Sequence, residues 1–353
     1  EGTLSSLTNE QLAEILTFHV ITGEIMASDL QASQSVETVQ GEELLVTASG
    51  GTVTVNGSAV VATADIEASN GVIHIIDSVL LPQAFRDPNI VDTAEELGNF
   101  TTLVGALDQT GLKTTVQYTG PFTVFAPTDD AFNALPSGLL GSLSGEQLAE
   151  ILQYHVISGT VASGDLSAMQ APSTLTGENI FITADGSVTV NGSSSVVTAD
   201  VTASNGIIHA IDEVLLPNKF LNVVQIASKR YDLTSLVSAV VEADLASTLA
   251  DPDAEFTIFA PNNEAFEGVD TSGLTQQQLT EILTYHVVGA RILSGDLSDG
   301  QTATTVNGAD LTISIDGGTV SINGDAAIVR TVDLEGTNGV IHIIDGVLMP
   351  PSS

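Results

Sequence analysis

Two phrases decide how this chain is read: LSGEQLAEILQYHV at Leu143–Val156 and ASNGIIHAIDEVLLP at Ala203–Pro217. Each occurs three times. The first returns as LTNEQLAEILTFHV at Leu7–Val20 and LTQQQLTEILTYHV at Leu274–Val287. The second returns as ASNGVIHIIDSVLLP at Ala68–Pro82 and GTNGVIHIIDGVLMP at Gly336–Pro350. The spacing is 136 then 131 residues for the first phrase, and 135 then 133 for the second. Solenoid repeats run roughly 20–50 residues. A period this long is a tandem of whole domains, each able to bury its own core.

The middle repeat shows how one unit is built. In Asn99–Leu112, Phe100, Leu103, Val104 and Leu107 fall on one helix face, and Gly111 is a stop. Phe122–Phe125 is a short β-prone run suited to a buried strand, which Pro127 ends. Thr128 or Asp129 then caps a short helix with Ala131 and Phe132. Ser144 with Gln147 fits a capping box, as do Thr8 with Gln11 and Thr275 with Gln278. Leu148, Ile151, Leu152, His155 and Val156 follow on one helix face. Asn191-Gly192 predicts a type I′ hairpin turn, matched by Asn56-Gly57 and Asn323-Gly324. Ile207, Ile208, Ala210 and Ile211 are apolar on both faces of a strand, so that strand is interior. Each unit is therefore α+β: helix, strand, helix, then a strand-rich half, with helices covering a sheet.

These phrases resemble the fasciclin-like (FAS1) domain family. FTVFAPTDDAF at Phe122–Phe132 and FTIFAPNNEAF at Phe256–Phe266 look like its first signature, in the middle and third repeats only. NGVIHIIDSVLLP, NGIIHAIDEVLLP and NGVIHIIDGVLMP look like its second. The Tyr-His pair between them is Tyr154-His155 and Tyr285-His286, whereas the first repeat has Phe18-His19 and no hydroxyl. The repeats bound domains at 1–85, 86–218 and 219–353. The resemblance implies that each is a β-wedge with flanking helices. It also implies secreted or surface-anchored adhesion proteins that bind proteins, matrix or carbohydrate and lack enzymatic activity. Animal members engage integrins near the Tyr-His region, a partner not carried over here because the composition looks microbial.

The composition sets outer limits. Seven basic residues against 44 acidic ones give a net charge of −37. That field argues against nucleic acid or anionic lipid as a charge-held partner. It favours a saline medium, where dissolved ions screen self-repulsion, and a marine or halophilic microbial source is expected. With no cysteine, neither a disulfide framework nor a thiolate metal site is possible. No apolar run reaches the ~18 residues of a membrane span.

As given, the first repeat starts at the equivalent of Ser137, so its opening helix and first-signature strand are not in the sequence. A sheet without an interior strand exposes apolar surface and unpaired backbone. Two explanations stand: a fragment boundary, or completion by a neighbouring chain into a head-to-tail homopolymer.

All six histidines fall at two repeat positions: His19, His155 and His286, then His74, His209 and His342. Recurrence in every unit points to buried, hydrogen-bonded structural histidines rather than ligands or bases. Asp77, Asp212 and Asp345 each stand three residues after a histidine and invite a triad reading. No G-x-S-x-G elbow is present, so carboxylates satisfying backbone amides at a strand end are expected. Asp65, Asp200 and Asp333 also recur, and Asp129-Asp130 precedes the short helix. Weak or diffuse Ca²⁺ association is expected of them, without an EF-hand loop and with no cofactor. The Asn-Gly pairs at Asn70, Asn205 and Asn338 read as positive-φ turns.

The expected function is a non-enzymatic extracellular or cell-surface adhesion or structural protein. Filament assembly, or a carbohydrate- or matrix-binding array in a wall or biofilm matrix, is the finer expectation. Short linkers without Gly/Ser runs predict rigid packing of successive repeats.

Overall fold

The computed structural model describes residues 7–269 and 273–351. Glu1, where the first repeat's alignment begins, lies outside them. Contacts gather the chain into two compact bodies. One runs to Leu166 and adds Ser173–Gly177 and Val196–Val214; the other comprises Ser167–Pro172, Glu178–Ser195 and the chain from Leu215. The division runs through the strand-rich half of the middle repeat.

In the first body, the first repeat supplies α1 (Asn9–Phe18) and strands β1 (Ser33–Glu37), β2 (Glu43–Ser49), β3 (Thr52–Val55), β4 (Ala59–Ala68) and β5 (Gly71–Ile76). These form one antiparallel sheet in the order β1-β2-β3-β4-β5. The middle repeat follows with α2 (Ile90–Leu97), α3 (Thr101–Gln109), α4 (Lys113–Tyr118), β6 (Phe122–Pro127), α5 (Asp129–Asn133), α6 (Leu139–Ser142), α7 (Gly145–Tyr154) and β7 (Val156–Ser158). Its strand-rich half is β8 (Met169–Gln170), β9 (Ile182–Ala184), β10 (Val188–Val190), β11 (Ser194–Ala203) and β12 (Gly206–Ile211). Strand β6 sits between β7 and β12.

In the second body, the third repeat repeats the plan. It has α8 (Val223–Ser228), α9 (Thr234–Glu242), α10 (Ala246–Leu249), β13 (Phe256–Pro261), α11 (Asn263–Glu267), α12 (Gln276–Tyr285), β14 (Val287–Val288), β15 (Thr302–Thr304), β16 (Asp310–Asp316), β17 (Thr319–Ile322), β18 (Ala327–Gly336) and β19 (Gly339–Ile344). The sheet order is β14-β13-β19-β18-β17-β16-β15. Each complete helical half packs its apolar faces on the sheet: α8, α9 and α12 with β13 and β19, and likewise α2, α3 and α7 with β6 and β12.

Local chemistry accounts for the boundaries. The three capping boxes all form; Gln11 N–H donates to Thr8 Oγ1 at 3.2 Å while Thr8 N–H donates to Gln11 Oε1 at 2.9 Å. The helices stop earlier than the apolar periodicity suggests. His155 is the C-cap of α7, and Val156 already belongs to β7. The histidine ring itself takes the carbonyl of Ile151 and so closes the last turn. The hairpin loops also differ from a two-residue turn. Asn56-Gly57 and Asn191-Gly192 each carry positive φ at both residues, but the loops hold three residues, and the Asn323 loop holds four. In each, the asparagine Oδ1 accepts the N–H of a residue one strand further back: Leu45 on β2, Phe181 just before β9, or Thr312 on β16, all at 2.9 Å.

The Asn-Gly pair that opens the second phrase is not a positive-φ asparagine turn: Asn205 and Asn338 have ordinary φ. Their amides hold helix ends instead. Asn205 Oδ1 accepts Ile90 N–H at the start of α2 (2.9 Å), while its Nδ2 donates to Val116 O and Thr119 O around the end of α4 (2.6 and 2.8 Å). Asn338 does the same with Val223 N–H, Leu249 O and Asp251 O. The glycine beside each is required for space. A Cβ on Gly206 would lie 2.1 Å from Phe122 O, and one on Gly339 would lie 2.3 Å from Phe256 O.

The first repeat shows what the parallel strand does. Strand β5 is the sheet edge, and Ile73 and Ile75 are 55% and 48% exposed. The corresponding Ile341 and Ile343 of β19 are 0% and 3% exposed, covered by β13. Where Phe259 stacks against His342 at 5.6 Å in the third repeat, the first has an open cleft of about 400 Å³, lined by His19, Leu44, Val55, Ile73 and His74 among others.

Gly339→Ala should lower stability by about 3 kcal/mol, at the upper end of overpacking costs, because the clash is with backbone and not with a side chain. Gly71→Ala meets nothing within 4 Å, but its φ of 158° is strained for a side chain, so it should cost less, about 1 kcal/mol. Urea unfolding of the two variants checks this. Equal midpoints would mean that β13 does not press on β19.

Candidate functional site

The recurring histidines and aspartates are the candidates, and each is held by a particular element. The first-phrase histidine follows its helix directly. In the third repeat, His286 Nδ1–H donates to Ile282 O at 2.9 Å, and Nε2 accepts Leu348 N–H at 2.8 Å. In the first repeat His19 does the same with Ile15 O and Leu80 N–H. The ring thus ties a helix end to the segment after the closing strand, about sixty residues on. His155 occupies this place in the middle repeat, with Nδ1 on Ile151 O at 2.7 Å. His155 and His286 are fully buried, whereas His19 is half-buried.

The preceding aromatic residue is core. Phe18, Tyr154 and Tyr285 are all buried. Tyr285 donates its hydroxyl to Asp310 O at 3.1 Å and accepts Asn323 Nδ2 at 2.9 Å. The hydroxyl that Phe18 lacks therefore links the helix to the hairpin loop in the third repeat.

The second-phrase histidine lies on the closing strand. His209 Nε2–H donates to Val161 O at 2.9 Å, and its Nδ1 accepts Asp200 N–H at 3.2 Å. His342 repeats this with Ile292 O and Asp333 N–H, and His74 with Ile25 O and Asp65 N–H. His209 and His342 are buried; His74 is exposed, and among the described residues no strand covers that side of β5.

The aspartate beside each ring is not the one three residues on. Asp77 and Asp345 lie beyond the strand end and accept Val60 N–H and Ile328 N–H at 2.8 and 2.7 Å; Arg330 also pairs with Asp345. Asp212 follows the end of β12 at the matching position. The aspartates near the rings are Asp65, Asp200 and Asp333, each with φ near 60° at a bulge of the long strand. Aspartate is among the few residues that tolerate this left-handed conformation.

A serine completes the arrangement, one that the sequence reading overlooked. Ser163 N–H and Oγ–H both donate to the Asp200 carboxylate, and Ser294 does the same to Asp333. The signal was there to be read: SGDL at Ser163–Leu166 and Ser294–Leu297, with ASDL at Ala27–Leu30. Ser, Asp and His adjoin, but the wiring is not that of a nucleophile. The serine proton goes to the carboxylate, the imidazole proton goes to a backbone carbonyl, and its other nitrogen accepts a backbone N–H, so the imidazole does not face the hydroxyl as a triad base would. The Ser163 hydrogen bonds hold the Asp200 carboxyl below the usual carboxylate range.

The remaining acidic candidates also cap structure. Asp129 accepts Thr101 and Thr102 N–H at the start of α3 (3.2 and 2.7 Å), and Asn263 takes its place in the third repeat with Ser235 N–H. Among the described residues, no three His, Asp or Glu side chains gather where they could hold a metal ion.

Burial pulls the His155 and His286 imidazoles down to about 4, against the opposing pull of the Ile151 and Ile282 carbonyls. A proton added at Nε2 of His286 would point at the Leu348 N–H, donor against donor. The unfolded histidine titrates near 6.5. Between about 6.5 and about 4 the unfolded chain binds protons that the folded chain refuses. This contribution to stability is therefore full above about 6.5 and falls as pH falls through that window. Thermal unfolding from pH 8 to pH 4 should show the drop. His286→Phe should be less stable at pH 7 yet flatter against pH, and an unchanged slope would remove the histidine from this account.

The repeats match a family model described as Fasciclin domain over residues 1–82, 98–217 and 231–350. Human periostin is 31% identical over 352 residues, covering 98% of this chain and 41% of periostin. The transforming growth factor-beta-induced protein ig-h3 of Oryctolagus cuniculus is 27% identical over 349 residues, covering 98% of this chain and 49% of that protein. The chain thus spans about half the length, or less, of these curated relatives. A solved FAS1 domain pair from the insect cell adhesion molecule Fasciclin I superposes with a TM-score of 0.53 at 19% identity, covering 72% of this chain and 98% of that one. The second signature and the histidine-capped helix recur in all three repeats, the first signature and the Tyr-His pair in two, and the family model matches all three: the chain belongs to the fasciclin domain family.

Proposed function

We propose that this chain is a non-enzymatic adhesion or scaffold array, displayed outside the cell or on its surface, with repeats at 1–85, 86–218 and 219–353. The observation that carries the reading is where the recurring polar atoms go. In every repeat the two histidines and the bulge aspartate spend their hydrogen bonds on backbone or on a neighbouring serine inside the same fold. The repeated residues support the block, which leaves function to its outer faces. Contacts on such faces gain strength by repetition through effective concentration.

Proteins, including further copies of this chain, are the partners this reading favours over glycans. Sugar sites use exposed aromatic rings, but Tyr154 and Tyr285 are buried, Tyr231 stands edge-on to Phe181, and Tyr118 lies under Arg86. No described helix is long and apolar enough to cross a membrane. The acidity fits a saline, marine or halophilic setting, where cations associate diffusely instead of at built sites.

Bead adhesion tests the reading. Beads bearing the chain at rising density should be retained with a steep density dependence on surfaces coated with the chain itself or with matrix protein. Retention on polysaccharide alone would favour the carbohydrate reading, and no retention at any density would remove adhesion altogether. Salt is the second test. From 0.1 to 2 M NaCl the screening length falls from ~10 Å to below ~3 Å, so the thermal midpoint should hold or rise. CaCl₂ at matched ionic strength should act like NaCl. A steady fall with salt would contradict the saline setting, and a jump specific to calcium would reveal a built site.

A further inference from the structure

Four of the seven basic residues, Arg86, Lys219, Lys229 and Arg230, lie just after a closing strand, in the linkers and first helices that follow. These residues therefore gather where one repeat meets the next, and each compact body contains one such joint.

In the first body, Glu42 accepts Gln83 N–H with both carboxylate oxygens, at 3.2 and 3.0 Å, just past the strand-ending Pro82. Leu45, three residues on, is 2% exposed, and α4 packs over its strand, with Thr114 Oγ1 donating to Glu43 at 2.7 Å. The hairpin loop completes the contact: a Cβ on Gly57 would lie 2.3 Å from Tyr118 O.

In the second body, Glu178 accepts Asn218 N–H with both oxygens, at 3.0 and 3.1 Å, just past Pro217. It also accepts the buried Lys229 ammonium at 2.7 Å. Phe181, three residues on, is buried under Tyr231 (centroids 5.6 Å apart) and the Arg230 guanidinium (4.4 Å). A Cβ on Gly192 would lie 2.6 Å from Ser228 O. The same three features thus meet a different helix in each case. The first linker is two residues longer, with seven residues from Gln83 to Asn89 against five from Asn218 to Asn222.

Hydrogen bonding identifies the same positions in the third repeat. Thr305 N–H donates to Ala309 O as Thr38 N–H does to Glu42 O, and Asn323 takes Thr312 N–H as Asn56 takes Leu45 N–H. The glutamate is therefore Ala309, and the buried apolar residue is Thr312, which is exposed.

We propose that the strand-rich half of a repeat carries a docking face for its successor, specified by a glutamate that reads the first N–H after the closing proline, an apolar residue three positions later, and the Asn-Gly loop. The first and middle repeats carry this face. The third lacks its first two parts and does not dock a following fasciclin repeat in this way.

Trypsin is a fitting probe, because the basic residues concentrate at these joints. In the intact chain, Glu178→Ala with Phe181→Thr installs residues that the third repeat already tolerates at the same places. Cutting after Lys219, Lys229 and Arg230 should quicken at least tenfold, while cutting after Arg291 and Arg330 stays at the parent rate. No acceleration at the joint, or an equal one at all five sites, overturns the proposal. The reverse experiment does not depend on that variant's folding. The chain is extended past Pro350 by a second copy of Asn218–Pro350, with and without Ala309→Glu and Thr312→Phe. The unsubstituted new joint should be cut at least tenfold faster than the substituted one. Equal protection of both would show that the face needs neither residue.

Discussion

The parallel pairing of the FTVFAP or FTIFAP strand with the closing strand is the constraint on which each repeat depends. It places a carbonyl so near the first residue of the closing strand that only glycine fits, at Gly206 and Gly339. It covers Ile208 and Ala210, or Ile341 and Ile343, and seats a phenylalanine ring on the buried histidine. The first repeat is an internal control. Its closing strand has the same sequence pattern but no parallel partner among the described residues, and its isoleucines, histidine and cleft stand open. Burying two isoleucine side chains is worth roughly 3–6 kcal/mol, comparable with the whole net stability of a small domain.

Around that strand pair, polar side chains act as long-range ties. Each ties points that the chain order separates: His286 to Leu348, Asn338 to the ends of α8 and α10, Asp333 to Ser294. A buried polar group left unpaired costs about 1–3 kcal/mol, so every tie is also a constraint on which partner segment fits. This is why residues that look like chemistry in the sequence recur so faithfully. The constellation of Ser, Asp and His in the last two repeats shares its composition with a hydrolase but not its proton routing.

Much of this was legible beforehand. The α+β class, the capping boxes, the interior strand and the family resemblance all follow from short-range pattern, and the structure displays them. The parts that were not legible are those set at a distance. Sequence spacing pairs His209 with Asp212, but a strand bulge turns Asp200 toward it instead. Periodicity carries α7 through Val156, yet the His155 ring closes the helix because its partner carbonyl lies four residues back. The role of Asn205 as a tie between helix ends needs partners some ninety and 115 residues away. Burial of His74 failed for the same reason: its cover would come from a strand that the first repeat, as given, does not contain.

An unpaired strand edge has a further consequence. Among the described residues β5 pairs only with β4, so its other side offers a row of amide and carbonyl groups beside alternating isoleucines, which is what an incoming extended segment needs in order to add to a sheet. In concentrated solution this chain therefore brings its own nucleation point for sheet-to-sheet association. Any clustering observed with it is a property of that rim until dilution, or a capping strand, separates it from the faces of the complete repeats.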